Sequence, residues 1–177
     1  IEERKGLDYL IKSFQKVFKK YNNYKLLLVG SGNQLYVEKL LKLVREYGLE
    51  DVVDFLGNKK ADEIKQLHDI SKLFVFPTLI DNSPNSIAEA MVSGMPIIAS
   101  QVGGITSMIE DYEDGLLIPS KNEKILAEKI MELIENKNLR MKLKINAYEK
   151  AKIRYYPKKV ADSNVEIYKK VLNENKN

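Results

Sequence analysis

Two patterns of apolar residues alternate along the chain. Residues 6–20 carry apolar side chains three or four positions apart, which is typical of an amphipathic helix. The next apolar run, KLLLV at 25–29, is short and continuous, as expected for a buried strand. The alternation then continues as far as a last strand at 115–119, and three helices follow it. It predicts strands at 52–56, 73–76, 96–100 and 115–119, helices at 34–47, 61–70, 122–135, 138–153 and 158–174, a helix that follows Ser83 and ends at Gly94, and a short helix after Gly104.

Short apolar strands separated by helices predict a parallel sheet with helices on both faces. Each strand is apolar along nearly its whole length, because both of its faces would be buried. We therefore expect a Rossmann-like, doubly wound α/β fold that spans residues 1–177 as one domain. Ligands bind such sheets beyond the carboxyl ends of the strands. The functional residues are therefore expected at 30–33, 57–60, 78–86 and 101–106.

The segment DNSPNSIAEAM at 81–91 carries the most informative chemistry. Ser83 followed by Pro84 predicts a helix start, with the serine as cap and the proline at the first helical position. The free amides of Asn85 and Ser86 would then point out of the helix end. Together with the helix dipole they predict an anion site of the kind that binds phosphate.

Two carboxylates flank this predicted anion site. Glu89 lies five residues past Pro84, roughly 7–8 Å further along the helix, where the diol of a ribose attached to a diphosphate could reach it. Asp81 precedes the helix and can reach hydroxyls beyond the diphosphate. The arrangement suits a nucleoside diphosphate sugar. The alternative interpretation pairs Glu89 with a nearby lysine and makes Asp81 a simple cap.

Composition excludes several kinds of chemistry. The chain has no cysteine, so it has no thiol nucleophile, disulfide or thiolate metal site. Its one histidine, His68, excludes a multi-histidine metal site, and we expect it to be structural or exposed on a surface helix. The apolar runs are of strand length, far shorter than a membrane span, and we expect no signal peptide. We therefore expect a cytoplasmic protein.

Positive charge is concentrated near the end of the chain. Residues 137–159 contain nine lysines or arginines and one acid, although the whole chain has a net charge of only +4. This basic block predicts contact with an anionic membrane surface or a phosphate-bearing acceptor, or else it is simply a solvated helix face. A nucleic-acid partner would rest on this block alone, and we do not expect one.

The segment DNSPNSIAEAMVSGMPIIASQVGGI resembles the signature of the retaining glycosyltransferases of family 4, which belong to the glycosyl transferases group 1 and have the GT-B fold. ERKGLDYLIKSF, KLLLVGSG, VVDFLG and DGLLIP also resemble family segments in their order and spacing. The resemblance covers nearly the whole chain, but only the second, donor-binding domain of the family. Its signature is an acid, seven residues and a glutamate, followed by three short motifs, here Asp81, Glu89, Ala90-Met91, Gly94-Met95-Pro96 and Gly103-Gly104.

The resemblance assigns a role to each candidate residue. Lys5, with Arg4 beside it, would neutralise the donor diphosphate, and Asp81 would hold hydroxyls of the donor sugar. The resemblance also places the backbone at Asn58 and Lys59 around the nucleobase. It agrees with the chemistry of the residues on two contacts, namely the amides of Asn85 and Ser86 on the phosphates and Glu89 on the ribose. The residues alone predict Ser83 as the helix cap and Gly32 in a tight turn near the ligand.

The sequence departs from the family pattern in three places. Asp81 replaces the usual glutamate, so its reach is one methylene shorter, and Thr106-Ser107 replaces the usual Pro-Glu. The family's phosphate-binding arginine, and the strand that leads to it, would come immediately before Ile1. That strand belongs in the middle of the sheet. We therefore expect a gap there, or rearranged or borrowed strand pairing.

The resemblance implies transfer of a hexose-type sugar from a UDP-sugar, or a GDP-sugar, to an acceptor hydroxyl with retention of configuration. The transition state would resemble an oxocarbenium ion, and no metal or cofactor is expected. No residue of this chain is a convincing catalytic group. The acceptor would bind an N-terminal domain of the parent chain, so this chain alone should bind donor weakly and transfer nothing. The setting implied is bacterial surface polysaccharide synthesis, in the cytoplasm or at the inner membrane face.

Two other functions remain open from the sequence. The chain could be a non-catalytic module that binds a nucleotide sugar for a separate acceptor subunit. It could instead be a dehydrogenase-type cofactor domain, which needs an acid about 20 residues after the glycine loop. Asp51 and Asp54 lie near that spacing, but the turn at 30–32 lacks the third glycine of a dinucleotide fingerprint.

Overall fold

Strands and helices alternate as predicted. The structure, a computed structural model, describes residues 1–174, except for the side chains at positions 157, 159, 160, 163, 173 and 174. The predicted bounds agree with it to within one or two residues, and positions 175–177 of the predicted domain lie outside the described residues. After a 3-10 turn at Glu3–Lys5, the elements are α1 Leu7–Lys20, β1 Leu26–Val29, α2 Gln34–Glu46, β2 Val53–Gly57, α3 Ala61–Ile70, β3 Phe74–Phe76, α4 Asn85–Val92, β4 Ile97–Ser100, α5 Ile105–Met108, β5 Leu116–Ile118, α6 Glu123–Glu135, α7 Lys137–Arg154 and α8 Pro157–Glu174.

All of the strand pairs are parallel, and the sheet lies in two parts. β1 pairs with β2, with Leu26 opposite Val53. β4 lies between β3 and β5, and its Ile98 is opposite both Val75 and Leu116. Helices cover these strands, which confirms the Rossmann-like α/β fold. The parallel arrangement also brings the carboxyl ends of the strands to one edge of the domain.

Two apolar clusters form the core. One joins α1, α2 and α6 to β1 and β5, with fully buried side chains such as Ile11, Leu40 and Leu133. The other packs α4 between β4 and α7, around Ile87 and Met91. Burying a side chain of this size stabilises the fold by about 1.5–3 kcal/mol. The start of α4 is therefore held in place by a helix whose inner face is completely buried.

β1 and β3 do not pair with each other, and both line one apolar cavity of about 800 Å³. We call this cavity the β1–β3 slot. α1 and α6 line one side of it through residues such as Phe14 and Ile130, and α3 lines the other. α3 is amphipathic, yet none of its residues is buried, and Ile64 and Leu67 remain partly exposed. The helix therefore faces a space in which it has little to pack against.

Part of the basic block of the sequence fastens α7 to the rest of the domain. Lys142 pairs with Glu113, and Lys150 pairs with the buried carboxylate of Asp114. Arg140 donates to the carbonyl oxygens at the end of α6, and Arg154 donates to the carbonyl oxygen of Ser107. Several cations that looked like a solvated face are thus engaged in tertiary contacts. Within residues 1–174, no helix is both long enough and apolar enough to cross a membrane.

Candidate functional site

The turn that carries Arg4 and Lys5 is fixed to the end of β3. The amide of Leu79 and the buried hydroxyl of Thr78 both donate to the carbonyl oxygen of Arg4, at 2.7 and 2.9 Å. Gly6 ends this turn with φ +66°, and a Cβ there would lie 2.1 Å from the carbonyl oxygen of Pro77. Only glycine permits that backbone conformation and that approach together. The side chains of Arg4 and Lys5 are therefore presented at the carboxyl edge of the sheet.

Both cations of this turn contact Asp81. The Lys5 Nζ atom lies 2.8 Å from Asp81 Oδ2, and the Arg4 Nη1 atom lies 3.4 Å from the same oxygen. Burial raises the pKa of the Asp81 carboxyl, but the hydrogen bond from Lys5 and the charges of both cations outweigh it, so the pKa lies below its usual value. The Lys5 ammonium also lies 4.9 Å from the centre of the Phe76 ring.

Two glycines after β4 hold the loop that carries Asp81. A Cβ on Gly103 would lie 2.2 Å from the carbonyl oxygen of Asp81, and one on Gly104 would lie 1.8 Å from the carbonyl oxygen of Asn82. The two loops therefore touch through their backbones. This contact holds the loop that carries Asp81 against the end of β4.

The start of α4 differs by one residue from the prediction. Pro84 is the cap residue, with φ −71° and ψ 121°, and the first helical residue is Asn85. The prediction that Ser83 caps the helix is wrong: no side chain caps α4, and Ser83 is exposed. The cause is the extended ψ of Pro84, which moves the helix start one residue along. The amides of Asn85 and Ser86 have no hydrogen-bond partner among the described residues, as the predicted anion site requires.

Glu89 lies on α4 and lines the β1–β3 slot together with Lys5 and Ser86. Its side chain forms no ion pair or hydrogen bond within residues 1–174. The alternative in which a lysine pairs with Glu89 is therefore wrong. An exposed carboxylate without a partner, about one turn into a helix whose first amides are free, is available to a ligand.

His68 lies closer to this carboxylate than the sequence indicated. It is half-buried in the wall of the slot, with Nδ1 2.9 Å from Ser93 Oγ and its ring edge-on to Phe74. Burial lowers the pKa of His68, while the negative charges of Glu89 and Asp69 oppose that shift. The sequence carried no signal for this position, because His68 is half-buried by contacts with the distant residues Ser93 and Phe74.

A second group of candidate residues lies at the ends of β1 and β2. Asn58 accepts a hydrogen bond from the amide of Ser31 at 2.8 Å, and so holds the glycine turn. Gly32 packs against Ile1, where a Cβ would lie 1.6 Å from the carbonyl oxygen. Lys59 turns toward Glu63 on α3, 3.0 Å away. No hydrogen bond or ion pair joins these residues to α4 among the described residues.

The candidate residues thus fall into distinct places. The structure brings five of them together around the slot and the start of α4, namely Arg4, Lys5, Asp81, Ser86 and Glu89. Ser83 and Asn85 are exposed beside the helix start, and the other three lie at the ends of β1 and β2. Within residues 1–174, no three histidine or acidic side chains are grouped so that they could hold a metal ion. The buried hydroxyl of Thr78 is a positioning contact that lies within the predicted range 78–86 but was not singled out from the sequence.

Comparison with known proteins identifies the family. Residues 1–150 match the model of the family described as glycosyl transferases group 1. A protein of Haemophilus influenzae named an uncharacterized glycosyltransferase is 30% identical over 140 residues, which are 78% of this chain and 38% of that protein. The GDP-mannose-dependent alpha-(1-6)-phosphatidylinositol monomannoside mannosyltransferase of Mycobacterium tuberculosis is 27% identical over 138 residues, 74% of this chain and 35% of that protein. The chain therefore spans less than half the length of the curated relatives that it matches.

A solved structure agrees with this result. The crystal structure of HepE from Anabaena in complex with UDP superposes with a TM-score of 0.85 and 27% identity. The match covers 97% of this chain and 46% of the HepE chain. The same protein has also been solved with UDP-glucose.

Proposed function

Because the chain belongs to the glycosyl transferases group 1 family, we propose that it is the donor-binding part of an enzyme that moves a hexose from a nucleoside diphosphate sugar to an acceptor hydroxyl. The donor is a UDP-sugar, with a GDP-sugar as the alternative, and the anomeric configuration is retained. The UDP and UDP-glucose complexes of HepE support the uridine donor, and the name of the mycobacterial relative supports the guanosine alternative.

One observation carries this proposal: free amides, a cation and an unpaired carboxylate surround the same space. The amides of Asn85 and Ser86 would meet the phosphates at the start of α4, where the helix dipole favours negative charge. Lys5 lies beside them in the lining of the slot. Glu89 would accept hydrogen bonds from the ribose diol. The anion site and the cation would thus meet the diphosphate of the donor, and the carboxylate would meet the ribose that follows it.

The same groups would assist the reaction. When the bond between the sugar and the diphosphate breaks, negative charge develops on the departing phosphate oxygens. Lys5 and the amides at the start of α4 stabilise that charge, and they act most strongly when water is excluded from the site. Asp81 would hold hydroxyls of the sugar. The acceptor and any group that faces the reacting carbon belong, in this proposal, to an N-terminal domain of the parent chain.

The test is a calorimetric titration of UDP-glucose, a GDP-sugar and an ADP-sugar into the protein and its Glu89→Gln variant. Loss of the charged hydrogen bonds to the ribose should weaken nucleotide binding by about 1–3 kcal/mol. Glu46→Gln is a matched control, because Glu46 is an exposed helical glutamate in a long 3.9 Å ion pair with Lys42, away from the slot. If both variants bind as tightly as the parent protein, Glu89 does not contact the ribose.

We also propose that a strand joined to Ile1 fills the apolar part of the β1–β3 slot between β1 and β3, and that the donor occupies only the end of the slot beside Lys5, Ser86 and Glu89. β1 and β3 each have one free edge, and both are parallel strands, so an inserted strand would pair with both. Apolar side chains on its two faces would meet α3 on one side and α1 and α6 on the other. Ile1 lies at the carboxyl end of the slot, where its carbonyl accepts from the amide of Asn33. A segment joined to Ile1 would therefore arrive there in the parallel direction.

This second proposal can be tested by adding about five valine and isoleucine residues before Ile1, the usual length of a strand. The extended protein should melt at a higher temperature, and the amides of α3 should exchange more slowly with deuterium. The control extension carries a proline at its centre, which removes a ladder hydrogen bond. Equal melting temperatures and equal exchange for the two extensions would show that no strand enters the slot.

The cellular setting is proposed from the family alone. We propose a cytoplasmic enzyme of bacterial surface polysaccharide synthesis, placed at the inner membrane face if its acceptor is linked to lipid. The phosphatidylinositol-based name of the mycobacterial relative supports a lipid-linked acceptor. Cosedimentation of the protein with vesicles that contain anionic lipid, compared with neutral vesicles, tests the membrane placement.

A further inference from the structure

Asp81 already occupies the two cations that the proposed function gives to the donor diphosphate. Its Oδ2 atom is within 2.8 Å of Lys5 Nζ and 3.4 Å of Arg4 Nη1. A carboxylate and a diphosphate are both anions, so they compete for the same partners. A diphosphate that draws Lys5 toward itself must take it from Asp81.

Only the side chains of Lys5 and Arg4 can move when the partners exchange, because the backbone is held in place at both Asp81 and Arg4. Gly103 touches the carbonyl of Asp81, and the carbonyl of Arg4 accepts from Leu79 and Thr78. The Lys5 and Arg4 side chains are 28% and 47% exposed, so they have room to turn. The Asp81 side chain is only 13% exposed and stays where it is. A bound diphosphate therefore leaves a largely buried carboxylate without its cationic partners.

We propose that Asp81 is a specificity-determining residue that makes the site favour a sugar nucleotide over the free nucleoside diphosphate. This inference rests on the proposed function. A carboxylate deprived of its partners costs binding free energy unless another donor replaces them. The hydroxyls of the donor sugar can donate hydrogen bonds to Asp81 in place of the cations. The free nucleoside diphosphate has no sugar on its terminal phosphate and so offers Asp81 no such donor. Asp81 thus weakens the binding of the leaving group more than that of the donor, and so promotes release of the product.

The experiment compares the binding of UDP and of UDP-glucose to the protein and to Asp81→Asn by calorimetry. Asparagine keeps the shape of the side chain but gives up the competition for the cations. UDP should therefore bind the variant about tenfold more tightly, and UDP-glucose should gain much less. The control is Glu3→Gln, which removes one negative charge from the same turn. Glu3 is 74% exposed and pairs with Lys39, so its removal should change both affinities less than about twofold.

A second background separates competition from a general charge effect. The Lys5→Met variant lacks the ammonium for which Asp81 and the diphosphate compete. Adding Asp81→Asn to it should therefore increase the affinity for UDP less than Asp81→Asn does alone. The inference is overturned if Asp81→Asn binds UDP no more tightly than the parent protein does. It is also overturned if Asp81→Asn increases the affinities for UDP and UDP-glucose equally, or if Glu3→Gln increases the affinity for UDP as much as Asp81→Asn does. If UDP binds the parent protein and Glu89→Gln weakens it, such a result leaves the proposed function intact. No UDP binding by the parent protein or by any variant would refute the proposed function as well.

Discussion

Replacing Gly104 with alanine should displace the loop that carries Asp81. A Cβ at this position would lie 1.8 Å from the carbonyl oxygen of Asn82 and 2.8 Å from its carbonyl carbon. Both distances are far shorter than van der Waals contact, so one of the two loops must move. The φ of Gly104 is −78°, which alanine adopts without strain, so the cost is steric alone. Overpacking of this kind costs about 1–3 kcal/mol, less than the 5–15 kcal/mol that stabilise a typical domain.

The variant should therefore fold, with a measurable loss in both stability and binding. Gly48→Ala is the matched control, because Gly48 has φ +63° and nothing within 4 Å of the added Cβ. Its cost arises only from the left-handed backbone and should be about 1–2 kcal/mol. Urea unfolding should thus show comparable losses for the two variants. UDP-glucose titration should show weaker binding for Gly104→Ala only, since only that change moves Asp81.

Two results would refute this reasoning. If Gly104→Ala unfolds at the same urea concentration as the parent protein, the loops at Asp81–Asn82 and Gly103–Gly104 are not in tight contact. Gly104→Ala that binds UDP-glucose as tightly as Gly48→Ala would mean that the position of Asp81 does not matter for the sugar nucleotide.

Three further predictions concern the scaffold. Leu143→Ala should cost about 2–5 kcal/mol in urea unfolding because Leu143 is fully buried on α7, whereas Ile145→Ala, 54% exposed on the same helix, should cost less than about 0.5 kcal/mol. Asp114→Ala should cost about 1–3 kcal/mol because the buried carboxylate accepts from a backbone amide and pairs with a lysine. Glu149→Ala, which breaks an exposed ion pair within α7, should cost less than about 1 kcal/mol. Burial lowers the pKa of His68 below its usual 6.5, so the unfolded chain binds more protons than the folded chain between the lowered and the usual pKa. The free energy of unfolding should therefore fall when the pH is lowered from 7 to 5, and it should fall less in His68→Gln.

The fold was predictable because its elements leave a periodic trace in the chain. Strands such as β4 are buried on both faces, so they read as continuous apolar runs. The site was partly predictable for the same reason, since parallel strands place their following loops at one edge. Glu89 could be singled out because a carboxylate among small apolar residues on a helix is unusual.

The remaining features depend on contacts between distant residues, for which the sequence has no local signal. Lys5 and Asp81 are 76 positions apart, and their ion pair follows only from the packing of the first turn on the end of β3. The wrong prediction of a cap at Ser83 has a local cause. Proline is compatible with both a helical and an extended ψ, and the sequence does not show which of the two Pro84 adopts. The half-buried state of His68 likewise depends on its contacts with Ser93 and Phe74.

The β1–β3 slot also bears on how the protein behaves in concentrated solution. Each of its two edges presents a row of backbone donors and acceptors beside apolar side chains, which is a template for any extended polypeptide. A neighbouring molecule that frays at one end could supply such a segment, and a third could join in the same way. An occupant of the slot would cover both edges, and it should therefore raise the solubility of the protein.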